Sequence, residues 1–178
     1  MACPHKFQEY LTLEQLDFEP TTLIVGTFNP AWPAGNYAQW FYGRTNNNYF
    51  WDVLPRLYQA DLNLRPGTVA SWKQFCADKK IALTDMISSI NDADQGVQLH
   101  NDKLANYTDA ALATTFADFT FTDIVKLLRQ HPTIKYVYLT RKPGISLFDD
   151  QWMLVENYGI EHGLHVRNLL TPSKYAFY

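Results

Sequence analysis

The most constraining feature of this sequence is a series of four short apolar segments, rich in β-branched residues, with helical patterns between them. The segments are residues 21–28, 81–87, 134–140 and 164–170. Short and nearly continuous apolar runs are typical of parallel strands that are buried on both faces. Strands that alternate with helices form βαβ units. The sequence therefore predicts an α/β fold, a three-layer α/β/α sandwich with a central, mostly parallel sheet of about four strands.

Apolar residues at three- and four-residue intervals predict the helices between these strands. The first helix begins at about Asn48, and the others cover about 69–79, 109–116, 122–128 and 149–158. Pro55 falls inside the first helix and is expected to kink it, because proline removes a backbone hydrogen bond. Gly159 is expected to end the last helix.

Length and composition indicate one globular domain that spans residues 1–178. Of its residues, 47 % are apolar and 19 % are charged, so the chain can bury a sizeable core. No repeat or low-complexity linker divides it. The two cysteines cannot form a disulfide framework, and no segment reaches the length of a membrane span, so we expect a cytoplasmic, monomeric protein without a membrane or protein partner.

The charge and the motif inventory disfavour several function classes. A net charge of −3 argues against a protein that binds nucleic acid through a broad positive surface. It does not exclude a protein that binds DNA through a few local contacts. The five histidines lack metal-ligand spacing, and no P-loop or dinucleotide glycine pattern occurs. We therefore expect neither a metal nor an organic cofactor.

The loop after the first strand is the strongest candidate for a functional segment. In parallel sheets, sites form at the carboxyl ends of strands, which here carry loops 27–48, 84–92, 140–147 and 171–176. Aromatic residues make up 15 % of the chain, and a dense group of them lies in or beside the first of these loops. The members of this group are Phe28, Trp32, Tyr37, Trp40, Phe41, Tyr42 and Tyr49.

The order of motifs resembles the uracil-DNA glycosylase superfamily. Residues 26–30 read GTFNP, residues 41–51 read FYGRTNNNYFW, and IALTDMISS, IKYVYLT and LLTPSKYA follow. The hypoxanthine-DNA glycosylase branch is the most similar, with the mismatch-specific uracil/thymine glycosylases next. The sequence departs from that pattern by an extra residue between Gly26 and Pro30, and by Arg44-Thr45-Asn46 in place of a small-His-Pro step.

The resemblance implies an enzyme of base-excision repair. Such an enzyme flips a deaminated base, hypoxanthine or uracil, and hydrolyses its N-glycosidic bond with a water that an asparagine positions. By analogy with the hypoxanthine branch this catalytic residue is Asn48, and by analogy with the mismatch branch it is Asn29. Asn48 also fits a helix cap and Asn29 a simple Asn-Pro turn, while Asn46 and Asn47 compete for the position of Asn48.

The resemblance also implies the groups that would bind base and DNA. Asp85 would read the base edge, or else cap the turn after its strand. Backbone donors after Gly26 would stabilise charge on the leaving base, and aromatic rings would stack on it or simply pack over the sheet. The base-binding candidates are Gly26, Thr27, Phe28, Phe41, Tyr42 and Asp85. The candidates for contacting DNA are Thr171, Pro172, Ser173, Lys174, Arg141 and Lys142.

Two other functions remain open at this point. One is a non-catalytic relative of the same fold that binds nucleic acid or a nucleobase-like molecule, which the departures around Arg44 favour. The other is a hydrolase that acts on a free nucleoside or another small ligand.

Overall fold

A computed structural model describes residues 1–33, 36–44, 48–170 and 172 of the chain. Its strands are β1 (Cys3–Pro4), β2 (Thr22–Gly26), β3 (Ile81–Asp85), β4 (Ile87–Ile90), β5 (Phe119–Phe121), β6 (Tyr136–Leu139) and β7 (His165–Asn168). Its helices are α1 (Phe50–Tyr58), α2 (Val69–Lys79), α3 (Gln98–Ala105), α4 (Asp109–Thr115), α5 (Ile124–Gln130) and α6 (Ser146–His162), and a 3₁₀ turn covers Gln8–Tyr10.

The central sheet has the order β3-β2-β6-β7, and all its strands run parallel. These four strands lie in the four apolar segments that the sequence predicted. Side chains of β2 alternate between the two faces of the sheet: Val25 packs with α4, α5 and α6, whereas Ile24 packs with α1 and α2. Helices therefore cover both faces, and the predicted three-layer α/β/α sandwich is confirmed.

The structure adds a small antiparallel sheet that the sequence did not predict. The second apolar segment splits at Met86 into β3 and β4, and β4 pairs with β1 and β5 in the order β1-β4-β5. Cys3 pairs with Ile90 in this sheet. The split brings the N-terminal residues of the chain to the carboxyl end of β3. The described structure also contains α3, in a region whose weak apolar pattern gave no helix prediction.

Local interactions explain two differences between the predicted and observed helices. Pro55 lies inside α1, and the Trp51 carbonyl that it leaves without its usual donor accepts from Leu64 N–H at 2.8 Å. Gly159 does not end α6, which continues to His162 and is followed by Gly163 with φ +68°. A Cβ atom on Gly159 would overlap the Val166 side chain, so this glycine allows close packing of α6 on β7.

Side chains fix the start of three helices. Thr68 and Ser71 form a reciprocal capping box at α2, while Thr108 and Asp123 accept from backbone N–H groups in the first turns of α4 and α5. Asp123 is thus the N-cap of α5. Within the described ranges, none of the helices has the length and apolar character needed to cross a membrane.

Candidate active site

A buried carboxylate, Asp85, lies at the carboxyl end of β3 beside the end of β2. Its register partner is Gly26, and the residue is only 2 % exposed. Asp85 Oδ1 occupies the space that a side chain on Gly26 would fill, because a Cβ atom there would overlap this oxygen and lie 3.0 Å from the Tyr42 hydroxyl. The predicted base-binding residues Gly26, Asp85 and Tyr42 are therefore in one place, at the edge of the sheet where the sequence located the site.

Two side chains donate hydrogen bonds to the inner oxygen of Asp85. His5 Nε2 lies 2.7 Å from Oδ2, and Asn29 Nδ2 lies 2.8 Å from the same atom. His5 Nδ1 accepts from the backbone N–H of Phe7 at 2.9 Å, which leaves the ring proton on Nε2 to be donated to the carboxylate. Both lone-pair directions of Oδ2 are thus used, whereas Oδ1 makes no hydrogen bond to any residue that the structure describes.

Asn29 is buried, and its amide group faces in two directions. Its Nδ2 group is committed to Asp85, while its side-chain carbonyl oxygen has no hydrogen-bond partner within the described part of the chain. The bond to Asp85 fixes which end of the amide is the acceptor. The oxygen of Asn29 can therefore accept a hydrogen bond from a water molecule or a ligand.

Asn48 has a different environment at the start of α1. Its side-chain oxygen accepts from the backbone N–H of Phe50, the first residue of α1, at 2.9 Å, although the N-cap position itself is Tyr49. The ring of Phe50 in turn stacks on that of Tyr42, with centroids 3.9 Å apart and an interplanar angle of 11°. Asn48 is thus linked to the site through Phe50, with one acceptor position already in use.

Tyr42 connects the loop after β2 to the end of β6. Thr140 Oγ1 donates to the Val25 carbonyl at 3.2 Å, so the Tyr42 hydroxyl donates to Thr140 at 2.9 Å. Tyr42 takes a left-handed backbone conformation with φ +56°. Burial and, second, the negative charge of Asp85 raise the pKa of Tyr42 well above its ordinary value. The phenol therefore stays neutral and acts as a hydrogen-bond donor over the ordinary pH range.

The three predicted stacking residues have unequal surroundings. Phe41 is completely buried between His5, Phe7 and Trp40, and Phe28 is buried as well, so their packing favours the alternative that these rings belong to the core. Tyr42 is only partly buried, with one face covered by Phe50. Among the other rings of the aromatic group, Trp32 and Trp40 are buried, whereas Tyr37 is 84 % exposed.

A second polar cluster surrounds Arg141, which was predicted to contact phosphates. Its guanidinium group donates to Asp109 Oδ2 at 2.9 Å and to Asp149 Oδ1 at 3.2 Å, and the residue is 3 % exposed. The Thr27 hydroxyl donates to the same oxygen of Asp109 at 3.2 Å. Because the guanidinium group is buried and already paired, this arrangement argues against a phosphate contact by Arg141. Its ion pairs instead link the start of α4 to α6. The arrangement also places Thr27 in this cluster.

The remaining predicted DNA contacts lie around the site's edge or beyond the described residues. Lys142 is exposed in the loop after β6. The carbonyl of Pro172 accepts from the backbone N–H of Tyr49 at 2.7 Å, which places this loop residue beside the start of α1. Thr171, Ser173 and Lys174 lie outside the described residues.

Sequence reasoning missed His5, Thr140, Asp109 and Tyr107. His5 has no motif around it and reaches Asp85 only through the pairing of β1 with β4. The Tyr107 hydroxyl donates to the Phe28 carbonyl, and burial above all raises its pKa. No group of three or more His, Cys, Asp or Glu side chains suited to a metal ion occurs within the residues that the structure describes.

The fold resembles that of a solved archaeal protein. The solution NMR structure of a protein from Methanosarcina acetivorans, provisionally described as a uracil DNA glycosylase, superposes with a TM-score of 0.56 at 17 % sequence identity. The match covers 90 % of this chain and 81 % of the other. No protein-family model and no curated protein matches the chain. At this identity the likeness shows the fold alone: this is an α/β protein with a uracil-DNA-glycosylase-like fold.

Proposed function

We propose that this protein is a monofunctional DNA glycosylase that removes a deaminated base, hypoxanthine or uracil, by hydrolysis of its N-glycosidic bond. The observation that carries the proposal is the Asp85–Asn29 pair, in which one carboxylate oxygen holds the asparagine and the other remains an acceptor. The proposal also draws on the fold likeness and on the order of motifs along the chain.

The reaction needs hydrogen-bond donors near the base and a positioned water. The base must leave as an anion while the sugar acquires oxocarbenium character, so donors are needed near the base and a water on the opposite face of the sugar. In our proposal the free carbonyl oxygen of Asn29 orients that water. Asn48 is the second candidate for this role, because its side-chain oxygen can accept one further hydrogen bond.

Asp85 is the proposed base reader. Its Oδ1 atom can accept from a ring N–H, which hypoxanthine and uracil have next to a carbonyl, whereas adenine and cytosine present an unprotonated ring nitrogen at the equivalent edge. A carboxylate oxygen and a nitrogen lone pair repel each other, so the amino-bearing bases are disfavoured. The base would enter beside Gly26, whose missing side chain leaves the space that Asp85 Oδ1 occupies.

A non-catalytic relative that binds nucleic acid or a nucleobase is the second candidate. The hydrogen bond that Asn48 accepts at the start of α1 and the complete burial of Phe41 favour it, because both residues then have structural roles only. Oligonucleotide duplexes that carry inosine or uracil, followed by cleavage of abasic sites, separate the two. The proposal expects multiple turnovers by the wild type and none by the Asn29→Ala, Asn48→Ala double variant. Saturable, salt-sensitive binding without excision would support the second candidate.

A further inference from the structure

Two cations meet at one asparagine in the loop that follows β2. Lys6 Nζ donates to the backbone carbonyl of Asn36 at 2.7 Å, and Arg44 Nε donates to the side-chain oxygen of the same residue at 3.2 Å. Sharing one partner holds the two positive groups near each other. Burial and, second, the charge of Arg44 lower the pKa of Lys6, as expected for a cation beside another cation.

Arg44 has a hydrogen-bond donor for which the described residues offer no acceptor. A guanidinium group carries five N–H donors, and Arg44 Nη2 is buried with no hydrogen-bond partner among the residues that the structure describes. Among the residues that the structure describes, no carboxylate forms a salt bridge with Lys6 or Arg44. A buried donor without an acceptor and two uncompensated like charges are both unfavourable, and one bound anion would relieve both.

Tyr107 holds Arg44 against the candidate active site. The guanidinium carbon lies 4.8 Å from the centre of the Tyr107 ring, and the hydroxyl of this tyrosine donates to the Phe28 carbonyl just beyond β2. Arg44 also follows Tyr42 by two residues. An anion bound at Lys6 and Arg44 would therefore lie at the rim of the site that contains Asp85.

We propose that Lys6 and Arg44 form a phosphate-binding site. A phosphate group offers oxygens to the planar fork of Arg44 and to the point charge of Lys6 at the same time. The assignment of that phosphate to the DNA backbone beside the flipped nucleotide rests on the proposed function. Free inorganic phosphate offers the same chemistry, and the experiment below distinguishes the two sources.

The test compares Lys6→Gln, Arg44→Gln and Lys135→Gln with the wild type. Lys135 is an exposed lysine that immediately precedes β6, at the opposite edge of the sheet, and it serves as the control. Binding of a duplex with a non-hydrolysable abasic-site analogue is measured at several salt concentrations. We expect the slope of log K against log salt to decrease in magnitude in each of the first two variants, by up to about 1 because one phosphate contact contributes roughly 0.9, and to stay unchanged for Lys135→Gln. Thermal unfolding of each variant verifies that it is folded.

A second arm titrates inorganic phosphate against chloride at equal ionic strength and follows the amide resonances of Lys6, Asn36 and Arg44. Shifts in this arm together with an unchanged DNA slope would reassign the site to free phosphate and overturn the DNA assignment. Unchanged slopes and unshifted resonances would overturn the phosphate site itself. A wild type that fails to excise any base but shows the expected slopes would refute the proposed function and leave this site standing.

Discussion

Asn29 donates a 2.8 Å hydrogen bond to Asp85, across 56 residues of sequence, at the carboxyl ends of two neighbouring parallel strands. The bond orients both partners. It turns the carbonyl oxygen of Asn29 away from Asp85, and together with His5 it occupies one oxygen of Asp85 so that the other remains available. The proposed water-positioning group and the proposed base reader therefore depend on the same contact.

Replacing Gly26 by alanine should disrupt this arrangement. The new Cβ atom would overlap Asp85 Oδ1, so the carboxylate must move away from His5 and Asn29. We expect the variant to lose about 1–3 kcal/mol of stability, as overpacked sites do, and to excise bases more slowly. Chemical denaturation and the excision assay measure the two effects. Gly96→Ala is the matched control, because the nearest atom to its new Cβ lies at 3.5 Å, and a comparable loss in this control would contradict the argument.

Changing Asp85 to asparagine should reverse the hydrogen-bonding character of the proposed base reader. Because His5 and Asn29 both donate toward the inner position, the amide must place its oxygen there and its NH₂ group outward. An outward donor matches the unprotonated ring nitrogen of adenine or cytosine and opposes the N–H of hypoxanthine or uracil. A hydrogen bond to a charged group contributes about 1.5–3 kcal/mol, so we expect inosine excision to fall about 10- to 100-fold.

The measurement for this variant is the ratio of excision from duplexes with inosine and with adenine at the same position. The ratio should shift toward adenine in Asp85→Asn. A variant that loses both activities equally while remaining folded would show that Asp85 has no part in base selection.

The strands of the parallel sheet were predictable from the sequence because they depend on local patterns. Four apolar β-branched runs identify the parallel sheet, and Gly26 and Asp85 stand at strand ends, where parallel topology must bring them together. His5 could not be predicted as a partner of Asp85, since its position depends on the pairing of β1 with a strand more than 80 residues away. Arg141 was predicted to contact DNA because a sequence does not show that Asp109 and Asp149 bind its guanidinium group.

Tyr42 predicts a specific alkaline sensitivity. Its pKa in the folded state lies above that of the unfolded chain, so folded Tyr42 keeps its proton where the unfolded state loses it. The contribution of protonated Tyr42 to the free energy of unfolding is fully present below about pH 10. It is lost as the pH rises from about 10 toward the folded-state pKa, by up to about 1.4 kcal/mol per pH unit. Urea unfolding between pH 9 and pH 11 should show a shallower decline for Tyr42→Phe than for the wild type. Parallel declines would contradict the burial of an ionisable phenol here.

Replacing Arg141 by methionine tests the internal role of this residue. The substitution leaves Asp109 and Asp149 without their shared cation, and because both carboxylates are partly exposed to water we expect a loss of about 1–3 kcal/mol. We expect a marked loss of thermal stability. In Arg141→Lys, which retains the positive charge, the salt dependence of DNA binding should match that of the wild type. A stable methionine variant with a reduced salt slope would restore the phosphate contact that the sequence predicted.

The measurement that tests the central claim most directly is detection of the free base by mass spectrometry after single-turnover incubation with inosine- and uracil-containing duplexes. The account predicts release of hypoxanthine or uracil by the wild type, and a decrease of about 10²- to 10⁴-fold in Asn29→Ala, as for loss of a group that acts on the water. DNA binding by this variant should be retained. Absence of free base with the wild type, or equal rates for the wild type and Asn29→Ala, would contradict it.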